Sequence, residues 1–360
     1  MYSEQTKQIS FYDEPIYART VPKDHFLRKL STAVDFAFVN ELCQDLYCPD
    51  NGRKCWEPQI LFKMTFLQFL YTLCDRDIEA EVKDRMSFKW FLGLAVDEEV
   101  PDHSTLSRFR DRLGPEQFAK IFNRIVEIAR SHKLVSDKLH IIDSTDVKAK
   151  VDQFRITEEI KKSNKDNNDK DDTPKNTDKQ FQGKFKTPDT DARFGRKSDS
   201  KKFYGYKEHI RMDAESKIIV ESKTAPSNEQ DCHNFSVLLS TAPPPKIATA
   251  DKAYDTDNNH QFLAEKGIRN GIILKKVHSK SYKYPKRVSK VAQKLRILIE
   301  HKFAELKNAH SLRIARYWGL AKVSIQGYLT AIAVNCKRIV KLLFSLTAPP
   351  KLYLRAVRRT

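Results

Sequence analysis

The 360-residue chain sets 65 Lys and Arg against 47 Asp and Glu, for a formal net charge of +18, with 40% hydrophobic residues and six cysteines. A chain of this length can bury more than one core, and its charge points to a polyanionic partner, ordinarily nucleic acid, with ribosomal or chaperone-type RNA binding as the blander form of that reading. A membrane-spanning role is excluded, because the most apolar stretch, Leu61 to Leu73, is broken by Lys63 and Gln68 and is shorter than the ~20 residues a span needs. Sparse cysteines without a secretory leader pattern argue for reduced thiols in a cytoplasmic protein. Cys43, Cys48 and Cys55 cluster, but without the CxxC pairs and following histidines of a zinc site.

In chain order, residues up to about Leu134 read as helical. Apolar positions recur every three or four residues, and Pro58, Pro101 and Pro115 fall where helices can begin. Leu61, Met64, Phe66, Leu67, Leu70 and Leu73 predict one broad buried stripe, and a more charged, exposed helix follows over Arg76 to Arg85. From Asp102 to Leu113 the text opens with capping residues and then presents Arg108, Arg110 and Arg112. Arg108 and Arg112 lie four apart on the face of Ser104 or Thr105, which suits contact with DNA phosphate or groove; a solvated helix face accounts for the same pattern equally well.

From Leu139 the pattern turns to short β-rich runs. Leu139 to Ile142 predicts a buried strand, and Phe203–Met212 and Lys217–Ser222 flank Asp213–Ser216 as a hairpin. Ile247–Ala250 and Gly271–Leu274 predict two further strands with a short helix over Asn259–Lys266 between them, which together describe a mixed α/β sheet. Lys161 to Gln180 has no apolar residue except Pro174, so it cannot offset its ordering entropy. A disordered insertion is therefore expected over about 155–195. A second basic segment, Lys275 to Lys290, leads into the last helices.

Three carboxylates stand out. Asp143 follows the apolar run Leu139–Ile142, Asp251 follows Ile247–Ala250, and Glu300 lies in a helical pattern with Arg296 and Lys307. At 100° per residue, those three helix residues project within about 40° of one another, next to the apolar stripe Leu295, Ile299, Phe303 and Leu306. Carboxylates at two strand ends and on one helix can converge on two divalent ions about 4 Å apart, the arrangement that hydrolyses phosphodiesters, and hard oxygen ligands favour Mg2+ or Mn2+. Each alone has a plainer reading: a strand-end aspartate is a common turn residue, and Arg296–Glu300 makes an ordinary i, i+4 ion pair. Asp146, Asp255 and Asp257 are alternative ligands if the strand ends fall a few residues away. His209 and His233 could sit near the site, but a lone histidine is more often a hydrogen-bonded structural residue, and neither is given a role.

With these residues in hand, the chain resembles bacterial insertion-sequence transposases of the DDE class, specifically the insertion-sequence-five and insertion-sequence-four-like groups. The likeness covers most of the chain. It rests on Leu61–Tyr71, Asp75–Glu79, Phe88–Leu94 and Val100–Arg110 in the N-terminal part, and on Ile142-Asp143-Ser144-Thr145, Ala250–Asp255 and Arg296-x3-Glu300-x6-Lys307 in the catalytic part. Gly205-Tyr206-Lys207 to Asp231 and Arg316–Ala321 add support. Two positions depart from the family pattern: Gln293 stands where a tyrosine is usual, and Ala253 where a glycine is common, which puts the loop conformation there in question.

The resemblance implies an α+β protein with an RNase H-like mixed-sheet core. It implies a helical N-terminal DNA-binding domain over 1–135, a catalytic domain over 136–310 and a C-terminal helical extension over 311–360. It assigns catalysis and the binding of two Mg2+ or Mn2+ ions to Asp143, Asp251 and Glu300. DNA contact falls to Arg296, Lys307, Arg108 and Arg112. Double-stranded DNA, as element ends and target, is the implied partner of a homodimer at the bacterial nucleoid. Two competing readings are a silent, transposase-derived DNA-binding regulator and a nuclease that cuts without joining.

Overall fold

The computed structural model describes residues 12–48, 55–152, 155, 187–198, 201–241, 243–275 and 286–345. Among the described residues seven α-helices come first: α1 (Asp13–Thr20), α2 (Phe26–Ala33), α3 (Phe38–Cys43), α4 (Pro58–Leu70), α5 (Asp75–Asp84), α6 (Met86–Leu92) and α7 (His103–Ser131). Pro58 starts α4 at its first turn, where the missing N–H has no partner to lose. The single stripe expected here is instead a helix buried nearly all round, with Thr65 and Gln68 among its buried residues. Polar residues that read as the solvent face of α4 are covered by other helices, so the sequence pattern alone understated its burial. Helix α5 keeps only Ile78 and Val82 buried, as its charge predicts, and a capping box between Cys74 and Asp77 sets its start. In α7, Gly114 takes φ 64° immediately before Pro115. Proline forbids a continuous helix and glycine supplies the left-handed step, so α7 bends there.

The sheet comprises β1 (Leu139–Lys148), β2 (Arg193–Ser198), β3 (Lys201–Asp213), β4 (Ile219–Pro226), β5 (Ile247–Ala250) and β6 (Arg269–Asn270). Strand β3 runs antiparallel to β1 on one side, while β2 and then β4 pair with successive parts of its other edge. Strands β5 and β6 add parallel to β1. The order β4-β3-β1-β5-β6, three antiparallel strands followed by two parallel ones, is the RNase H-like arrangement expected. The expected hairpin forms around Asp213, whose carboxylate accepts the Ser216 N–H (2.8 Å) and hydroxyl (2.7 Å). The last strand is Arg269–Asn270 rather than Gly271–Leu274, although the N–H groups of Gly271 and Ile273 carry the ladder onward to the carbonyls of Ala248 and Ala250.

Most of the expected insertion lies outside the described residues, but its last part does not. Asp189 is fully buried, accepting the Tyr206 hydroxyl (2.5 Å) at its carboxylate and the Tyr204 hydroxyl (2.9 Å) at its carbonyl. Arg193–Ser198 then pairs as β2. Those contacts come from residues beyond the insertion, which is why composition placed the boundary too late.

Helices α8 (His233–Ser240) and α9 (Asp257–Glu265) cover one face of the sheet over a small core that includes Ile142, Phe235, Leu238, Ala250, Tyr254 and Leu263. The sequence reading contained no α8, which is two turns long and too short to display a helical period. Helix α10 (Lys286–Ala304), a π-helical turn (Glu305–Ala309) and α11 (Leu320–Phe344) lie on the larger core. That core runs from Leu27 to Val340 without regard to the chain positions 135 and 310. Helix α11 packs on β4, α7, α4 and α2. Its Asn335 side chain accepts the Ile219 N–H (2.9 Å) and donates to the Ile219 carbonyl (2.8 Å), closing the exposed edge of β4.

Candidate active site

The pairing of β1 with β5 builds the site. The last parallel partners are Ile142 and Ala250, so Asp143 and Asp251 are the next residue on each chain. They are neighbours by register. Asp143 is not at a strand end, as expected, but in the middle of β1, which continues to Lys148 against β3 alone. Asp251 does end its strand and caps the short turn Lys252–Tyr254, its carboxylate accepting the Ala253 N–H at 2.8 Å. Ala253 sits within that single 3-10 turn and is not among the residues with positive φ, so alanine fits where the family pattern has glycine.

Asp143 is half-buried, and its described hydrogen bond comes from the Ser144 N–H at 2.8 Å. Burial pushes its carboxyl up to about 7; the Ser144 N–H opposes this, the neighbouring Asp251 charge adds to it and Arg296 opposes it again. Glu300 approaches from α10. Arg296, one turn before it, reaches Asp251 at 4.0 Å and Glu300 at 3.7 Å. The guanidinium therefore stands between the strand carboxylate and the helix carboxylate. Among the described residues, Glu79, Asp102 and His103 form the set of ligand-type side chains whose donor atoms all lie within 4.8 Å of one another. That set is accounted for by the start of α7: the His103 N–H (2.9 Å) and Nδ1 (2.7 Å) both meet Glu79, and Asp102 caps the helix.

The remaining sequence candidates are placed as follows. Lys307 lies in the π-helical turn and pairs with Asp146 of β1 at 2.8 Å, tying the end of the Glu300 helix to the Asp143 strand. Asp255 is fully buried, accepting from Lys275 N–H (2.6 Å) and meeting His260 Nε2 (2.6 Å), and Asp257 opens α9. Arg108 and Arg112 are exposed on α7. Arg108 donates to Ser104 (2.8 Å) and Arg112 stacks on Tyr47 at 4.5 Å. Arg110, between them, turns inward to Asp75 (2.6 Å). The side chain of Gln293 lies outside the description.

Sequence reasoning passed over Tyr254 and Asp231 and gave His209 no role in the site, yet all three lie about Asp143. Tyr254 is fully buried and its hydroxyl faces Asp143, Asp231 and Asp251, so that burial and then these charges raise its pKa well above the usual value. Asp231 pairs with Lys207 at 2.8 Å. His209 sits opposite Ser144 in the β1–β3 register and meets Asn234 at 3.4 Å. Burial lowers its pKa to about 4, which keeps the imidazole neutral. His209 is brought there by the pairing of β3 with β1, which joins residues some sixty positions apart, whereas Tyr254 belongs to the turn that Asp251 caps.

A carboxylate-bearing RNase H-like sheet, with an acidic helix against its β1–β5 junction, is the framework of polynucleotide phosphoryl-transfer proteins. Comparison with known families agrees: residues 136–336 match the family described as transposase DDE domain, and residues 16–112 match the transposase domain (DUF772). The chain belongs to the DDE transposase domain family. It is similar to the transposase for insertion sequence element IS1106 of Neisseria meningitidis serogroup B, with 32% identity over 162 residues. That match spans 45% of this chain and about half (54%) of the relative. No solved structure matches the chain. Among the described residues, no helix is long and apolar enough to cross a membrane.

Proposed function

We propose that the protein is a DNA transposase that binds the terminal inverted repeats of its own insertion sequence, cuts the DNA there and joins the freed ends to target DNA. The observation that carries this reading is the register of β1 and β5, which makes Asp143 and Asp251 neighbours facing the Glu300 helix of a DDE domain. Two acidic oxygen donors side by side suit a divalent cation, so Asp143, Asp251 and Glu300 are assigned as the residues that hold Mg2+ or Mn2+, two ions in the full site. When bound, such ions supply charge neutralisation and Lewis-acid activation at the phosphodiester.

The chain's own residues do the rest. The sheet fixes the two aspartates, and Tyr254 and the neighbouring small core exclude water from beneath them. Arg296 holds Asp251 and Glu300 apart and is free to turn to a DNA phosphate once cations occupy the carboxylates. Lys307 anchors the helix end that carries Glu300 and adds positive charge near the phosphate path. Arg108 and Arg112 are assigned to element-end binding on the exposed face of α7, and the assembly that holds two ends is a homodimer.

The test is to incubate purified protein with a plasmid carrying the gene and its native flanks, in Mn2+ or in EDTA, and to map breaks to the nucleotide. Expected are metal-dependent breaks at matching inverted ends and joined products, both lost in Asp143→Asn while the ends remain protected from footprinting reagents. Undiminished breaks in Asp143→Asn would remove that residue from the site, and protection without any break in the native protein would replace the transposase reading with a DNA-binding regulator.

A further inference from the structure

A cleft of about 890 Å³ lies between the corner joining α4 to α5 and the loop that follows the π-helical turn. Its walls are more than two hundred residues apart in the chain. They are held together by Arg316, which stacks on Phe69 at 4.6 Å and donates to the Leu73 carbonyl at 2.9 Å. Lys307, which pairs with Asp146 on the strand that carries Asp143, lines the cleft.

The charges of the lining are unequal in their availability. Asp75 is engaged by Arg110 (2.6 Å), and Asp77 accepts the Cys74 N–H (3.1 Å). Arg76 and Lys150 are exposed and make no ion pair among the described residues. Asp75 is thus neutralised within the fold, whereas Asp77 is exposed and keeps its charge; Arg76, Lys150 and Arg313, all exposed on the lining, outnumber it. Next in the chain after the lining residue Tyr317 comes Trp318, 52% exposed, whose indole N–H donates at 2.8 Å to the carbonyl of Lys150, itself a lining residue. An exposed tryptophan held by its only polar atom presents a ring face at a fixed place. A groove of cations beside a fixed aromatic face is the chemistry that binds an unpaired nucleic-acid strand, with phosphates tracking the cations and a base stacking on the ring.

We infer that this cleft binds a short unpaired segment of DNA, with Trp318 as the stacking platform for one base and Arg76 and Lys150 as phosphate contacts. The choice of DNA rests on the transposase reading, and the segment is the strand separated from its complement next to the site of cutting.

The experiment measures binding of the full chain to a 20-nucleotide oligothymidine and to a 40-base-pair duplex of the element end, both in EDTA so that cleavage plays no part. Trp318→Ala is expected to weaken oligothymidine binding about fivefold or more, with Trp318→Phe retaining most of it. Arg76→Ala and Lys150→Ala should weaken it and flatten its salt dependence. Duplex binding changes less than twofold in all four. All three positions are on the surface, and unchanged melting temperatures confirm folding. Oligothymidine binding that is unaffected by Trp318→Ala, or duplex binding that falls equally, overturns the assignment. Loss of oligothymidine binding in a protein that never cuts DNA leaves the cleft standing and removes the transposase reading alone.

Discussion

Two carboxylates of the sheet sit in different settings, Asp143 half-buried at the β1–β5 junction and Glu208 buried beneath α11. Burial pushes both Asp143 and Glu208 up to about 7. Glu208, on β3, accepts hydroxyls from Ser222 and Thr224, each at 2.5 Å, and is roofed by Gly327. Asp143 has its own neighbouring N–H, a second aspartate beside it and a guanidinium across the gap. A buried carboxylate whose oxygens are satisfied by the fold is structural; one left beside another negative group is a demand for a cation that the fold does not itself meet. The energetic penalty is similar, and the neighbours decide what it is used for.

The sharpest way to break this comparison is the exchange of one oxygen for nitrogen in each region. Asp143→Asn is expected to reduce strand cleavage to background while the metal-free protein melts no lower, because one of two adjacent negative groups is gone. Glu208→Gln leaves cleavage per folded molecule unchanged. A cleavage defect in Glu208→Gln equal to that of Asp143→Asn would erase the distinction.

Next in size is Gly327→Ala. A Cβ there lies 2.7 Å from both carboxylate oxygens of Glu208, so either the carboxylate or α11 must move. The expected loss is about 1 to 3 kcal/mol in urea unfolding, with any cleavage that remains proportional to folded protein.

The pH dependence sharpens the comparison further. Glu208 has its ordinary value of 4.5 when unfolded and about 7 when folded, so the folded state holds its proton more tightly. Its contribution is fully present below pH 4.5 and is lost as pH rises through about 7. Between about pH 5 and pH 8, native protein should lose on the order of 1 to 3 kcal/mol relative to Glu208→Gln. Parallel pH profiles of the two proteins would show that this carboxyl is not perturbed.

Lys307→Ala is expected to have the smallest effect on stability. Its pair with Asp146 is only partly buried, at 17% and 16% exposure, and its loss should lower stability by about 1 kcal/mol or less. A larger fall, approaching that of Gly327→Ala, would mean that this pair, rather than apolar packing of α10, seats the helix bearing Glu300.

Legibility in the sequence followed the range of the interactions involved. The strands around Ile141 and Ala248, the hairpin at Asp213 and the helix over Asp257–Glu265 were readable because apolar runs and turn residues reflect energies within a few positions of the chain. Strand β2 was not, since it is basic and edge-paired, and its place is set by Asp189 accepting from Tyr204 and Tyr206. The reversal at Arg110 is similar: it shares the spacing of Arg108 and Arg112 but is drawn inward by Asp75, thirty-five residues earlier.

The sequence by itself determined the class of the fold, the two aspartate runs, the Arg296–Glu300 pair and the charge that calls for a polyanion, because composition and local periodicity carry those. Only the tertiary structure decided that Asp143 lies within a strand beside Asp251, that Arg296 stands between two acids, that Tyr254, Asp231 and His209 surround them, and that two distant segments enclose a cleft lined by Arg76, Lys150 and Arg316. The physical reason is that strand register and helix docking are chosen by burial and hydrogen-bond satisfaction across the whole chain, and no window of sequence contains both partners of such a choice.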